Sequence, residues 1–388
     1  MRMLFVVSSD VFDAGLSIIN ALKHRIELNC LLTVIPHYPN MLSVSNKDFK
    51  DSQLIEAQNV NYLQRYSSFI PIESTKILAT HSIKKLKLFI QSCKAISTFI
   101  MDVNPDVIVY YINPGEQWIP FLLTNNIPVI SVVHDPSFHS SQTRQTFHKF
   151  IRRIVFSHID AFFVLSNNLK SDFEHSKEVG GKPVFLSRLG RYESLCACNK
   201  YKDYHPSSKL RMLFFGRIEG YKGLKYLLLA FKMLKSENRS VELTILGRGY
   251  IEDDIIDLNS TKDLIIQNSY IEEKDLVNAI NSCDIVICPY IDATQSGVIM
   301  SAFAFNKPVI ATNVGGLKEM VIDGRYGRII EPANVDALVS AILEIYDNRD
   351  ILVNWRNNIM NDYEKGINSW NCISDDFVRD IQFVMSKY

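Results

Sequence analysis

The chain has 388 residues, 47% of them apolar, and its 42 Lys and Arg side chains balance 42 Asp and Glu side chains. This length and composition exclude a disordered chain and predict two globular domains with separate cores. The balanced charge excludes a strong overall attraction to polyanions, so we expect no nucleic-acid partner.

The N-terminus and the cysteines bear on the cellular compartment. Residues 1–7 hold too short an apolar run for a secretory signal, so they predict a first strand. No apolar stretch reaches the roughly 20 residues that cross a bilayer. The seven cysteines are an odd number, and Cys196-Ala-Cys198 lacks the second pair or nearby histidine of a metal site. We therefore expect a cytoplasmic protein that binds no metal and no cofactor.

Short β-branched runs alternate with amphipathic helical stretches, which is typical of parallel α/β sheets covered by helices on both faces. The first half predicts strands at residues 2–7, 28–34, 106–111, 128–133, 160–165 and 183–187. The polar stretch 36–75 shows no sustained period, and we expect an irregular functional loop region above the ligand edge of the sheet.

The polar segment 191–209 predicts a linker between the two domains. The strands predicted after it are 210–215, 241–246, 264–267, 284–288 and 308–311, with helices near 223–236, 273–282, 297–306 and 334–347. Apolar residues at helical spacing predict one more amphipathic helix at the C-terminus. The predicted domains are 1–200 and 201–369, followed by the helix 370–388.

In an open parallel sheet the ligand lies outside the carboxyl ends of the strands. Residues 216–223 follow a predicted strand there and contain three glycines, of which Gly216 is the first. Arg217 is suited to a bidentate contact with a diphosphate, and Lys222 to a point-charge contact. The alternative interpretation is a solvated basic loop.

A second segment, 289–298, follows another buried strand and opens the next predicted helix. Ser296 has the character of an N-cap residue, and the first backbone N–H groups of the helix, at Gly297 and Val298, are free to receive a phosphate. Glycine would let the ligand approach the backbone closely. An ordinary capped helix start is the alternative.

Two further strand ends carry candidate residues in the first half. His134 directly follows the strand 128–133 and can hydrogen-bond a sugar hydroxyl, although a lone histidine is often a structural donor. Gly15 stands near the start of the first helix, where it would face the ligand cleft. Gly247-Arg248-Gly249 lacks the rest of a dinucleotide fingerprint, which argues against hydride chemistry.

Taken in order, these residues resemble the retaining glycosyltransferases of family 4, across nearly the whole chain and most specifically over residues 212–340. The matching stretches are Phe214–Ile218, Lys222-Gly223, Cys283–Val286, Lys307–Thr312, Asn313–Glu319, Asp323-Gly324 with Gly327, Glu331-Pro332 and, in the first half, His134-Asp135 and Ala161–Ser166.

The resemblance implies a GT-B fold, in which two Rossmann-like domains have parallel sheets that face each other across a cleft. The second domain would bind a nucleotide diphosphate sugar, and the first would supply most acceptor contacts. Carried over by position, Arg217 and Lys222 would hold the diphosphate, residues 296–298 would meet it from the helix N-terminus, and His134 would contact the transferred sugar. The final helix would cross back onto the first domain, as it does in the family after a Ser-Trp pair like Ser369-Trp370.

One departure from the family concerns its usual two glutamates, which stand eight positions apart. Thr294 occupies the first position, and the second falls on Ser301 or Ala302. The chain resembles a branch with Thr-Gln-Ser-Gly-Val in this place. Thr294 and Gln295 can hydrogen-bond sugar hydroxyls, and Asp292 would partly replace the missing carboxylate.

The implied reaction is retaining transfer of a hexosyl group to a glycan or lipid-linked acceptor, in polysaccharide or glycoconjugate biosynthesis. The alternatives are a sugar-nucleotide epimerase or sugar phosphorylase on the same fold, or an inactive transferase-like subunit that stabilises a partner.

Contact with a membrane surface is a further hypothesis, because residues 1–195 carry 20 basic and 16 acidic side chains. The basic residues that support it are Lys84, Lys85, Lys87, Arg144, Lys149, Arg152 and Arg153. The alternative is that they are solvated faces of helices packed on the core.

Overall fold

The computed structural model describes residues 1–34, 52–81, 83–111, 126–133, 152–197, 207–251 and 262–388. The chain forms two compact units. The first unit consists of Met1–Leu189 and Trp370–Tyr388, and the second of Gly190–Ser369. The change of unit lies eleven residues before the expected boundary at 200. Tyr192 belongs to the second unit, where its N–H donates to the Met300 carbonyl at 3.2 Å.

Within the described ranges, the first unit contains an eight-stranded sheet in the order β3-β4-β2-β1-β5-β6-β7-β8. Its strands are β1 Arg2–Ser8, β2 Glu27–Val34, β3 Leu54–Glu56, β4 Thr75–Ala79, β5 Val107–Tyr111, β6 Val129–Val133, β7 Ala161–Val164 and β8 Val184–Leu186. All neighbouring strands are parallel except β3, which pairs antiparallel with β4 at the edge. The six strands predicted in this half are confirmed.

Helices cover this sheet because its central strands are apolar on both faces. In the described part of the first unit, the helices include α1 Phe12–Leu22, α2 Asn61–Gln64, α3 Leu86–Val103, α4 Asn167–Glu174 and, from the end of the chain, α11 Trp370–Met385. Met3 to Val7 in β1 are fully buried. No helix of the described residues combines the length and apolar character that a bilayer span requires.

The expectation of an irregular region over residues 36–75 is wrong in its described part. Residues 35–51 lie outside the described ranges, but 52–75 contain β3, α2 and the first residue of β4. Polar residues dominate this segment because its elements are short and lie at the sheet edge. A short edge strand such as β3, whose three residues are all half-buried, has no clear alternation for sequence reasoning to find.

The sheet of the second unit has, among the described residues, six parallel strands in the order β11-β10-β9-β12-β13-β14. They are β9 Leu210–Phe215, β10 Val241–Gly247, β11 Leu264–Asn268, β12 Ile285–Cys288, β13 Val309–Thr312 and β14 Gly327–Ile330. The helices are α5 Leu224–Ser236, α6 Glu273–Ser282, α7 Gly297–Ala304, α8 Leu317–Met320, α9 Val335–Asp347 and α10 Asp350–Glu364. The five strands and four helices predicted here are confirmed, and β14, α8 and α10 add to them.

Helix α11 packs on the first unit through its apolar face. Phe377 is 3% exposed, and its ring stacks on Phe163 of β7 at 4.3 Å between centroids. Two ion pairs flank this contact: Arg25 with Asp375 at 2.9 Å and Arg188 with Asp376 at 3.1 Å. The last helix of the chain is therefore part of the core of the first unit.

This packing predicts that Phe377→Ala lowers the free energy of unfolding by about 3–5 kcal/mol, because it removes a buried ring and leaves a cavity. Urea-induced unfolding followed by circular dichroism measures the change. The matched control is Phe383→Ala on the same helix, where the ring is 49% exposed and the loss is expected to stay below about 1.5 kcal/mol. Equal losses in the two variants would contradict the packing described for α11.

Candidate functional site

The candidate site lies at the carboxyl edge of the second unit's sheet. Strand β9 has β10 on one side and β12 on the other, so the order of strands reverses beside it. Such a topological switch point opens a crevice between the loops that follow the two strands. Here those loops are residues 216–223 after β9, which we call the glycine loop, and residues 289–296 after β12, which we call the tyrosine loop.

The backbones of the two loops are joined directly. The N–H of Ile291 donates to the carbonyl oxygen of Tyr221 at 2.7 Å. Gly223 has a left-handed backbone with φ of 67°, and a Cβ atom there would overlap the carbonyl oxygen of Pro289. Glycine is therefore required at this position by conformation and by space. The close approach fixes the position of Lys222 beside the tyrosine loop.

Lys222 is a buried cation. Its side chain is 8% exposed, and its ammonium donates to the hydroxyl of Tyr290 at 3.0 Å. No carboxylate among the described residues forms an ion pair with it. Burial lowers the pKa of Lys222 from 10.5 to about 8, because desolvation disfavours the charged form. The ammonium thus lacks the counter-charge that a buried cation normally has.

Arg217 differs from Lys222 in exposure. Its side chain is 75% exposed and pairs with Glu219 of the same loop at 3.1 Å. An exposed ion pair of this kind contributes little to stability, so the guanidinium can exchange Glu219 for another anion at small cost. The two predicted cations therefore stand in the same loop, one buried and one at the surface.

The start of α7 completes the site. The backbone N–H groups of Gly297 and Val298 have no acceptor among the described residues, as is usual in the first turn of a helix. A Cβ atom on Gly216 would lie 3.3 Å from Lys222 Nζ and 3.4 Å from Val298 Cγ2. The structure therefore brings Gly216, Lys222 and the helix N-terminus together, where positive charge and free amides attract an anion.

Ser296 occupies the N-cap position, but its hydroxyl makes no capping hydrogen bond. It is 4% exposed and lies 3.3 Å from the hydroxyl of Tyr290. The expected side-chain cap is therefore wrong, because a neighbouring tyrosine provides the partner instead. The hydroxyl of Tyr290 thus contacts both Lys222 and Ser296.

Gly297 is explained by packing as well as by access to its backbone. A Cβ atom there would lie 3.2 Å from the ring of Tyr192. Tyr192 is buried against the start of α7, and no larger residue fits at Gly297 without displacing it. We expected a ligand to lie close to Gly297. On the side where a side chain would project, the close neighbour is instead the ring of Tyr192.

The remaining predicted residues of the tyrosine loop differ in exposure. Asp292 is exposed, and Thr294 and Gln295 are half-buried. The backbone carbonyl of Thr294 accepts the N–H of Gly316 at 3.1 Å, which ties the loop to the segment after β13. The side-chain oxygen Oε1 of Gln295 is buried without a hydrogen-bond partner among the described atoms. It is therefore an acceptor available to a hydroxyl group of a ligand.

The positions of the family's second glutamate lie inside α7. Ser301 is 6% exposed and Ala302 is fully buried. A carboxylate at either position would be buried away from water, which is energetically costly. These two positions therefore suit small residues that pack in the interior. Asp292 is the single carboxylate in the sequence of the tyrosine loop.

Two predicted residues belong to the first half of the chain. His134 lies outside the described residues, so its position stays a prediction. Gly15 is buried in α1, and a Cβ atom there would overlap the side chain of Val7 in β1. Close packing of helix on strand accounts for this glycine, and its donor-binding role stays a prediction that this contact does not support.

Three tyrosines of the site were not predicted. Tyr290 contacts Lys222 and Ser296, Tyr192 covers Gly297, and the ring of Tyr221 meets that of Tyr290 edge-on at 6.4 Å between centroids. Tyr290 lies two residues after the end of β12, which is the one signal that could have marked it. The expectation of no metal stays a prediction; in the ranges that the structure describes, no group of three or more His, Cys, Asp or Glu side chains could hold a metal ion.

The second unit matches a known protein family. Residues 209–348 match the family model described as glycosyl transferases group 1. The D-inositol 3-phosphate glycosyltransferase of Arthrobacter sp. (strain FB24) is 28% identical over 149 residues, which are 37% of this chain and 35% of that protein. The chain therefore spans about a third of the length of this curated relative. The resemblance found in the sequence is confirmed for residues 209–348 at the level of group 1.

Solved structures establish the fold. Sucrose-phosphate synthase from Thermosynechococcus elongatus matches with a TM-score of 0.70 at 14% identity, over 100% of both chains. The Anabaena protein HepE, solved in complex with UDP, matches with a TM-score of 0.65 at 16% identity, again over 100% of both chains. With its two parallel-sheet α/β units, the chain has the GT-B fold, as predicted.

The contact between the two loops predicts that Gly223→Ala lowers the free energy of unfolding of the second unit by at least about 2 kcal/mol. The added methyl group overlaps a backbone carbonyl, and the left-handed conformation disfavours it. Gly220→Ala in the same loop is the control, because a Cβ atom there meets nothing within 4 Å. Thermal unfolding of both variants provides the test, and unchanged stability of Gly223→Ala would contradict the described contact.

Proposed function

We propose that this protein is a retaining glycosyltransferase that moves a hexosyl group from a nucleotide diphosphate sugar to a glycan or lipid-linked acceptor. The main observation is that the buried Lys222, which forms no ion pair with a described carboxylate, lies near Gly216 together with the free backbone N–H groups of α7. The group 1 match over residues 209–348 supports sugar transfer, since the curated relative is named a glycosyltransferase. A GT-B protein solved with UDP supports a nucleotide as part of the donor.

A diphosphate suits this arrangement better than a neutral ligand does. The ammonium of Lys222 is desolvated and has only a neutral hydroxyl as partner, so an arriving anion would supply the missing counter-charge. The N–H groups of Gly297 and Val298 would donate to phosphate oxygens with the helix dipole in the favourable direction. Arg217 would leave Glu219 and close over the diphosphate from solvent.

The proposed reaction breaks the bond between the anomeric carbon and the diphosphate oxygen, and a bond to the acceptor hydroxyl forms on the same face of the sugar. Lys222, Arg217 and the amides of α7 would stabilise the negative charge that develops on the leaving diphosphate. A diphosphate oxygen would take the proton of the acceptor hydroxyl. Positioning and charge stabilisation account for the rate, and no protein nucleophile is invoked.

Sugar recognition is assigned to polar groups near the tyrosine loop. Thr294 and Gln295 would hydrogen-bond sugar hydroxyls, and the buried Oε1 of Gln295 would gain a donor that the described residues do not supply. Asp292 would face the positive charge that develops at the anomeric carbon, and His134 would contact the transferred sugar. No metal or other cofactor takes part in this proposal.

Binding of UDP is predicted to weaken as the pH rises through about 8. The pKa of Lys222 is lowered to about 8 in the free protein, so above that pH the lysine is neutral before the anion binds. Isothermal titration calorimetry from pH 6.5 to 9.5 measures the dissociation constant, with ADP and GDP as further probes if UDP does not bind. An affinity that does not depend on pH across this range would contradict the assignment.

The matched variants for the same measurement are Lys222→Met and Lys225→Met. Removal of the buried ammonium is expected to weaken diphosphate binding and to reduce turnover of a nucleotide sugar by a factor on the order of 10²–10³. Lys225 is three positions away and exposed, so its loss should change neither quantity by more than about twofold. Turnover without an acceptor, or dependence on inorganic phosphate, would favour an epimerase or phosphorylase instead.

We also propose peripheral contact with an anionic membrane surface through the start of α3. Lys84, Lys85 and Lys87 are exposed there, together with Leu86 at 59% and Ile90 at 43% exposure. Cationic heads beside exposed apolar side chains suit the interface of an anionic bilayer. Arg152 does not contribute, because it is 7% exposed and its guanidinium pairs with Glu178 at 2.6 Å. Arg153 is exposed, and Arg144 and Lys149 lie outside the described residues.

Sedimentation with vesicles that contain phosphatidylglycerol tests this contact. We expect binding at low salt that is lost at about 0.5 M salt, where the Debye length falls to a few ångströms. Leu86→Ser with Ile90→Ser should abolish sedimentation, since it removes the exposed apolar pair. Met101→Ser at the other end of α3, where the side chain is 70% exposed, is the control. Equal sedimentation of all variants would rule out this surface.

A further inference from the structure

Besides the thiol of Cys288, the hydroxyl of Tyr290 contacts two polar groups that belong to the two halves of the proposed diphosphate site. It accepts a hydrogen bond from Lys222 Nζ at 3.0 Å, and it lies 3.3 Å from Ser296 Oγ. All three side chains are buried, with exposures of 2% for Tyr290, 8% for Lys222 and 4% for Ser296. Their hydrogen bonds are therefore shielded from water, so each bond is stronger and an unpaired polar group would cost more than at the surface.

The contact with Ser296 has a consequence for the helix. A serine at the N-cap normally accepts from the second or third N–H of its helix. Ser296 makes no such bond, although its backbone has the extended conformation of an N-cap, with φ of −142° and ψ of 109°. The hydroxyl of Ser296 is held by Tyr290 and by the thiol of Cys288, so the N–H of Val298 keeps its donor capacity. Tyr290 thereby keeps the hydroxyl of Ser296 from occupying the backbone N–H groups that would bind the anion.

We propose that Tyr290 is the positioning residue of the diphosphate site: its hydroxyl orients the ammonium of Lys222 and withholds the hydroxyl of Ser296 from the amides of α7. This inference deepens the proposed function and rests on it. Tyr290 itself need not touch the donor. Its own position is fixed because its backbone carbonyl accepts from Thr312 at 2.5 Å and its ring packs against Tyr221.

The pH dependence of UDP binding depends on the charged and titratable groups around Lys222. Arg217, Glu219 and Tyr221 face it from the glycine loop, and Cys288 and Tyr290 from the end of β12. Burial raises the pKa of Cys288 to about 12 and the pKa of Tyr290 well above 10. Both stay neutral between pH 6.5 and 9.5, so of these three buried groups Lys222 is the one that titrates in this range.

The test uses the full chain and UDP as the probe, with Tyr290→Phe, Ser296→Ala and the double variant. Tyr290→Phe keeps the ring and is expected to raise the dissociation constant on the order of tenfold, because Lys222 loses its acceptor. It should also move the midpoint of the pH profile below that of the wild type, since the charged ammonium is less stabilised. In the Tyr290→Phe background, Ser296→Ala should restore about fivefold of affinity, because the freed hydroxyl can no longer cap α7.

Tyr326→Phe is the matched control, since it removes another buried hydroxyl of the second unit, one that donates to Asp362. It should leave UDP binding and its pH midpoint unchanged. Wild-type affinity and midpoint in Tyr290→Phe, or further loss rather than recovery in the double variant, would overturn the role of Tyr290 while the proposed function stands. Absence of nucleotide binding in the wild type would overturn both. Melting temperatures of all variants separate loss of binding from loss of folding, and recovery in the double variant excludes misfolding.

Discussion

The buried ammonium of Lys222 is the interaction on which the second unit's site depends. A pKa lowered from 10.5 to about 8 corresponds to about 3 kcal/mol by which burial disfavours the charged side chain. The sign follows from the direction of the shift: the cost is fully present below pH 8 and disappears as the pH rises towards 10.5. A packed apolar side chain would avoid this cost. In the folded protein the ammonium keeps a single polar side-chain partner of the tyrosine loop, the hydroxyl of Tyr290.

The contact between the two loops is made by backbone atoms, and this explains where the glycines of the unit fall. Gly223 meets the Pro289 carbonyl, Gly247 meets that of Gly216, and Gly315 meets that of Ala293. Each allows one strand-end loop to lie against the next, so backbone contacts hold the loops together beside side-chain bonds such as that from Thr312 to the carbonyl of Tyr290. A site whose parts are fixed before the ligand arrives loses little entropy when it binds, which is the basis of preorganised electrostatic stabilisation.

Sequence reasoning found the elements of this site more readily than their connections. Strand ends, glycines and the two cations are local signals, so Lys222, Gly216 and the start of α7 could be placed at one sheet edge from topology alone. The hydrogen-bond partner of Ser296 could not be predicted in this way. A hydroxyl at an N-cap can bond its own helix or a side chain that only the tertiary fold brings near. For the same reason the sequence predicts a surface cation at Arg152, although this residue lies buried beside Glu178. The three-residue edge strand β3 is too short to show an alternating pattern in the sequence.

The course of the chain through the two units has a consequence for how it folds. The second unit is one continuous segment, whereas the first is built from residues 1–189 and the helix α11, which supplies Phe377 to the core under β7. During synthesis the second unit is therefore complete while the first still lacks a piece of its core. Completion of the core of the first unit therefore depends on a helix that is synthesised after the whole of the second unit.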